Sequence, residues 1–168
     1  MDVFCNEFIS EKIDFMESTA SCVEKKKFAL QKNDVIFTKD SETADEIAIS
    51  AVVISELPNL VCGYHLGIAR PKTINGKYLG VAFNSYSVKR QFFRLANGTT
   101  RFGLNLSSMA QIRIPILPAH KQKSIARMSV DHAKEEQLMK EQVDLLVKQK
   151  RGLMQQLLTG KLKVKVAA

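Results

Sequence analysis

Six polar residues in a row, Thr38-Lys39-Asp40-Ser41-Glu42-Thr43, follow the apolar run Val35-Ile36-Phe37. Polar side chains at a strand end are where a rigid scaffold presents a binding loop. Lys39 can pair with a phosphate or a guanine edge. Ser41 and Thr43 can donate to phosphate, and Asp40 or Glu42 can accept from cytosine N4. The same string equally suits an Asx or Ser/Thr turn that binds nothing. A metal-dependent nuclease needs carboxylates converging on a cation, with a lysine near the attacked phosphate. Asp34, Asp40, Glu42 and Lys39 are the right types, but no carboxylate-x-Lys follows Glu42. Neither Ser41 nor Ser55 sits in the G-x-S-x-G elbow of a serine nucleophile. Cys62 and His65 have metal-ligand spacing, but a pair falls short of the three or four protein ligands that zinc takes, and no metal is expected.

Further along, Arg70 precedes Pro71, and its fork could grip a phosphate bidentately. Lys89, Arg90 and Arg94 fall at i, i+1 and i+5, loosely on one helical face, and Arg101 lies in the turn TTRFG. With Lys39 and Arg70 these cations make a candidate surface for a polyanion. Tyr86, Gln91 and Asn84 have base-edge chemistry. Tyr64 could stack on an exposed base and His65 could contact a phosphate. Such a pair is as readily a packed aromatic and a satisfied histidine. No Walker motif or dinucleotide glycine pattern is present, so no nucleotide and no other cofactor is expected. No residue set amounts to a catalytic site, and the chain reads as no enzyme.

The elements that must position these residues are short until Pro118. Asp34–Thr38 reads as a strand after a turn at Lys32–Asn33. Ile47–Ile54 alternates poorly but is rich in Ile and Val, which implies a largely buried strand. Leu66–Ala69 is another short apolar run. Asn75–Gly76 is a turn signal before the apolar YLGVAF, and Ser85–Leu95 is helix-compatible. Asn97–Gly98 is a second turn, and Ile112–Leu117 has period-two character that Pro115 limits to an edge strand or extended segment. From about residue 120 to 159 there is no Pro, and the only Gly is Gly152. Met139, Val143, Leu146, Lys150, Leu153 and Leu157 recur in steps of 4, 3, 4, 3 and 4, a heptad seam on a long helix. Leu138, Leu145 and Met154 widen that stripe. Gly160 suits the residue just past the helix end.

The chain has 168 residues, 45% of them apolar, enough for a domain with a real core and too apolar for disorder. No apolar run approaches a membrane span. The start, MDVFCNEFIS, carries acids where a signal peptide needs positive charge, and three scattered cysteines make no disulfide framework, so the default location is cytoplasmic. The formal net charge is +8, and residues 121–168 carry 11 basic against 5 acidic groups. A positive surface attracts polyanions without reading sequence.

Four segments carry a family resemblance: NDVIFTKDSETADEIAIS (33–50), NLVCGYHLGIARP (59–71), NGTTRFGLN (97–105) and GLMQQLLTGK (152–161), with IRIPILP ahead of the long helix. The chain resembles the specificity subunit of type I restriction–modification enzymes, specifically its C-terminal half, with the opening of that half absent. The resemblance implies an α+β fold. Residues 1–118 would form a partial, strand-rich target-recognition domain, 119–160 a long amphipathic coiled-coil helix for subunit pairing, and 161–168 a basic tail. It implies a non-catalytic unit that binds double-stranded DNA at one half of a split target. It also implies docking of a methyltransferase subunit and, through the complex, a restriction subunit, with homodimerisation through the helix as another use of the seam. ATP and S-adenosylmethionine would belong to the partner subunits. Segments shared across such a family should be mostly structural, because base-reading residues must differ between targets. An interaction fragment that docks partners through its helix without reading DNA is the alternative.

Overall fold

The computed structural model describes residues 2–163. In chain order its elements are α1 (Asp2–Cys5), β1 (Phe8–Ile9), α2 (Cys22–Phe28), β2 (Val35–Thr38), β3 (Asp40–Ser41), a single 3₁₀ turn (Ala44–Glu46), β4 (Ser50–Val53), β5 (Leu66–Ala69), α3 (Gly76–Asn84), α4 (Tyr86–Leu95), β6 (Phe102–Gly103), α5 (Leu106–Met109) and α6 (Ala119–Leu158). This is the mixed α+β architecture expected from the sequence, with its long C-terminal helix. Two compact units divide the chain, Met1–Ser129 and Val130–Ala168.

In the first unit one sheet runs β1-β4-β2-β5, parallel between β1 and β4 and antiparallel elsewhere. A second, two-stranded ladder pairs β3 with β6. Every residue of β2 and β4 is buried. That explains the poor alternation of Ile47–Ile54, since a strand covered on both faces has no polar side to show. The strand period still sorts the side chains. Val35, Phe37 and Val52 join a core with Leu79 and Phe83 of α3 and Val88 and Phe92 of α4. Ile36, Ala51 and Val53 join a second core with Val3, Ile9 and Leu30. Phe37, Phe83 and Phe92 meet edge-on or tilted, at ring separations of 5.2 to 6.3 Å, and tie the sheet to both helices. Each such buried ring contributes roughly 1.5–3 kcal/mol.

Two glycines permit close approach. A Cβ on Gly80 would lie 2.3 Å from a Val52 methyl, so α3 sits directly on β4. A Cβ on Gly76 would lie 2.1 Å from the Asn33 carbonyl oxygen, at the turn where Asn33 itself takes φ 74°. Asn75–Gly76 is therefore a helix start rather than a free turn. Asn75 Oδ1 accepts from the N–H groups of Lys77 (3.0 Å) and Tyr78 (3.2 Å), and YLGVAF is the body of α3. Asparagine favours both settings for the same reason, a short side chain that bonds nearby backbone. Ser85–Leu95 is helical from Tyr86, as the sequence predicts. Ile112–Leu117 lies outside every strand and helix.

The helix α6 begins directly after Pro118. Its first turns belong to the first unit, where Gln122 and Ala126 are buried. Gln122 Oε1 accepts from Asn75 N–H (3.0 Å) while its Nε2 donates to the Leu117 carbonyl (2.7 Å). In the second unit every residue from Lys134 to Lys163 is exposed. The helix closes on Gly160 at φ 72°, whose N–H donates to the Leu157 carbonyl. Of the basic tail, residues 164–168, Lys165 among them, lie outside the described residues. Among the described residues no helix is long and apolar enough to cross a membrane.

Candidate nucleic-acid interface

The eight cations and polar residues singled out as DNA contacts fall into three settings. The first is α4. Val88 and Phe92 bury one face of this helix, so Tyr86, Lys89, Arg90, Phe93 and Arg94 are exposed. Among the described residues none of Lys89, Arg90 and Arg94 is in an ion pair. Gln91 differs from its neighbours. Its amide, expected at a base edge, is committed to backbone: Nε2 donates to the Arg113 carbonyl (2.9 Å) and to the Ser87 carbonyl (3.3 Å), and Oε1 accepts from Arg113 N–H (2.9 Å).

The second setting surrounds Asp40. Arg101 donates to Asp40 Oδ1 at 2.9 Å, and His65 Nδ1 meets the same oxygen at 2.7 Å. Arg101 also lies 3.2 Å from His65 Nδ1. Lys39 Nζ sits 4.6 Å from the centre of the exposed Tyr64 ring, a cation–π contact. The group rims a cleft of about 970 Å³ whose apolar floor includes Ile9, Leu30, Ile36 and Leu66. Cys62 also lines it. Burial, above all, pushes its thiol up to about 11, so it stays protonated at neutral pH and is a poor nucleophile. Among the described residues no three His, Cys, Asp or Glu side chains could hold a metal.

The polar string itself is a structural node. Thr38 Oγ1 donates to the Glu46 carbonyl and accepts from Ile49 N–H (3.0 Å). Ser41 Oγ donates to the Glu46 carboxylate. Lys39 takes its N–H to the His65 carbonyl (3.1 Å) and its own carbonyl to Leu104 N–H (2.8 Å). Ala48 is held at φ 64°, a conformation that costs an L-residue about 1–2 kcal/mol and needs this surrounding frame.

Arg70 is the third setting. Its Nε and one terminal nitrogen clasp the two oxygens of Asp34, at 2.8 and 2.7 Å, and that nitrogen also reaches the Ala29 carbonyl at 2.8 Å. The Asp34 hydrogen bond holds the guanidinium above its ordinary pKa. Asp34 is 1% exposed and also accepts from Gln31 N–H at 2.7 Å. The fork expected on a phosphate is thus engaged by a buried carboxylate of the same chain, which a strand-end position alone does not reveal.

The remaining candidates lie on α6, in the second unit. Met139, Val143, Leu146, Leu153 and Leu157 are exposed large apolar side chains, and Lys150 is exposed between them.

The sequence matches the family described as "Type I restriction modification DNA specificity domain" over residues 7–145. This chain belongs to that family. Specificity domains of this kind are non-catalytic, and their general role is DNA binding and docking within a type I restriction–modification system. Among curated proteins nothing matches. Of solved structures, the type I restriction–modification system S subunit from M. genitalium superposes with a TM-score of 0.57 at 16% identity. The superposition covers 90% of the present chain and 37% of that subunit, so the specificity domain described here spans well under half of the longer protein. At that identity the likeness speaks for the fold.

Proposed function

We propose that this chain is the sequence-recognition unit for one half of a split DNA target in a type I restriction–modification system. The exposed face of α4 lies against the duplex. Lys89, Arg90 and Arg94 grip phosphates, and Tyr86 is the side chain offered to base edges. The α6 seam, Met139, Val143, Leu146, Lys150, Leu153 and Leu157, pairs with a helix. Its partner is a second copy of this chain or the methyltransferase subunit, through which the restriction subunit is recruited. The observation that carries this reading is three exposed cations on one helix, in no ion pair among the described residues, in a chain of the specificity-domain family. Such charges remain available to phosphate.

Selection from a randomised duplex library tests it, run with and without the methyltransferase subunit, on the native chain and on a Leu146→Asp/Leu153→Asp variant. One enriched half-site with the native chain, lost or weakened in the variant only when the methyltransferase subunit is needed, is the expected result. Uniform, steeply salt-dependent binding under every condition would instead mark an interaction fragment that docks partners without reading DNA.

A further inference from the structure

The segment after α5 joins no sheet ladder, yet side chains hold it at three points. Gln91 of α4 bridges both backbone groups of Arg113, at 2.9 Å each. Tyr78 of α3 donates its hydroxyl to the Pro115 carbonyl at 2.6 Å, and Gln122 fixes the Leu117 carbonyl. The Gln91 bridge is a donor–acceptor pair, as one strand offers another, so it sets both the position and the facing of residue 113. Ile112 and Ile114 pack against the α3–α4 core, while Arg113 between them is exposed. Among the described residues Arg113 is in no ion pair. No Asp or Glu occurs anywhere from Leu57 to Val130, a run holding eleven Lys and Arg, whereas the first 56 residues hold twelve of the seventeen acids. The two segments that Gln91 stitches together therefore contribute cations and no acid to their shared surface.

We propose that Arg113 is a further phosphate contact of the α4 surface and that Gln91 is the positioning residue that holds it there. The ligand is the phosphodiester backbone of duplex DNA, and the proposal rests on the duplex-binding reading above. A cation on a tethered segment gives up less freedom on binding than one on a loose segment, so its charge is worth more at the interface.

Fluorescence anisotropy with a labelled mixed-sequence duplex, across a salt series, tests both roles in the full chain. Arg113→Ala should weaken binding on the order of fivefold and lower the salt slope by about 0.9, the share of one phosphate. Gln91→Ala keeps every charge, yet should lose about as much. Added to Arg113→Ala, it should cost nothing more. A wild-type slope in Arg113→Ala would overturn the assignment and leave the duplex reading standing. A Gln91→Ala loss that persists in the Arg113→Ala background, with a lowered melting temperature, would overturn the positioning role. No salt-dependent duplex binding by the native chain would overturn the reading itself and this inference with it.

Discussion

Lys89, Arg90 and Arg94 on α4 and Lys39 and Arg101 around Asp40 are the same kinds of residue, drawn from one chain with a net charge of +8. Their surroundings differ. Arg101 has a carboxylate at 2.9 Å and Lys39 lies against an aromatic face, while the α4 cations have no acid in reach among the described residues. A cation already paired must give up that pair, and leave its carboxylate without a partner, before it can serve a phosphate. One that faces only water can exchange counterions for phosphate at no such cost. Between Arg101 and Arg94 the difference that bears on phosphate binding is therefore the neighbouring acid. Arg70 is the limiting case, with its fork closed on a carboxylate that is 1% exposed.

The comparison predicts its largest effect at α4. Lys89→Glu/Arg90→Glu/Arg94→Glu should reduce duplex affinity on the order of a thousandfold and lower the salt slope by about three. The three positions are exposed, so far-UV circular dichroism and the melting temperature should stay close to native. Duplex binding that survives the triple reversal would move the interface elsewhere, and the Asp40 cleft would be the next place to look.

Arg70→Ala should act on stability instead. It strands the buried Asp34 charge, which among the described residues keeps the Gln31 N–H. Removing one partner of a buried pair costs about 3–5 kcal/mol, and the low end applies because the Arg70 side chain is 45% exposed. Thermal unfolding should show this as a drop on the order of 10 °C. The reverse pattern, unchanged melting and a lost phosphate from the salt slope, would return Arg70 to the DNA-binding group.

Local patterns in the sequence carried much of the fold. The buried strands at 35–38 and 50–53, the helix at 86–95 and the long helix with its Gly160 stop all follow from periodicity and end signals. The spacing of Lys89, Arg90 and Arg94 was legible for the same reason, since one helix holds all three. Ser21 and Glu24 form a capping box that was equally readable, S-x-x-E, and it starts α2, which periodicity alone passes over. The pairings were not legible. Asp34 and Arg70 lie 36 residues apart, and Asp40 and Arg101 lie 61 apart. Only the tertiary fold brings them together, and no local spacing encodes that. The Gln91 amide is a further case, its partner being 22 residues away in backbone that has no motif. The alternation Ile112-Arg113-Ile114 was the one trace of Arg113's outward position.

The smallest effect should come from Arg101, and it is the sharpest probe of the comparison. Arg101→Ala removes a whole positive charge, as Arg94→Ala does, so net charge alone predicts equal losses. If the neighbouring acid decides, the two part company. Arg94→Ala should lower the salt slope by about 0.9, whereas Arg101→Ala should leave the slope unchanged and the affinity within about twofold. Its pair with Asp40 is half open to water, so stability should fall by no more than about 1 kcal/mol. Asp40→Asn is the complement. It leaves Arg101 and His65 without their carboxylate, so affinity should hold or rise slightly, and never fall. A tenfold loss in Arg101→Ala, with a slope lowered like that of Arg94→Ala, would show that the duplex draws Arg101 away from Asp40. The boundary between the two groups would then be set by the bound DNA rather than by the folded chain.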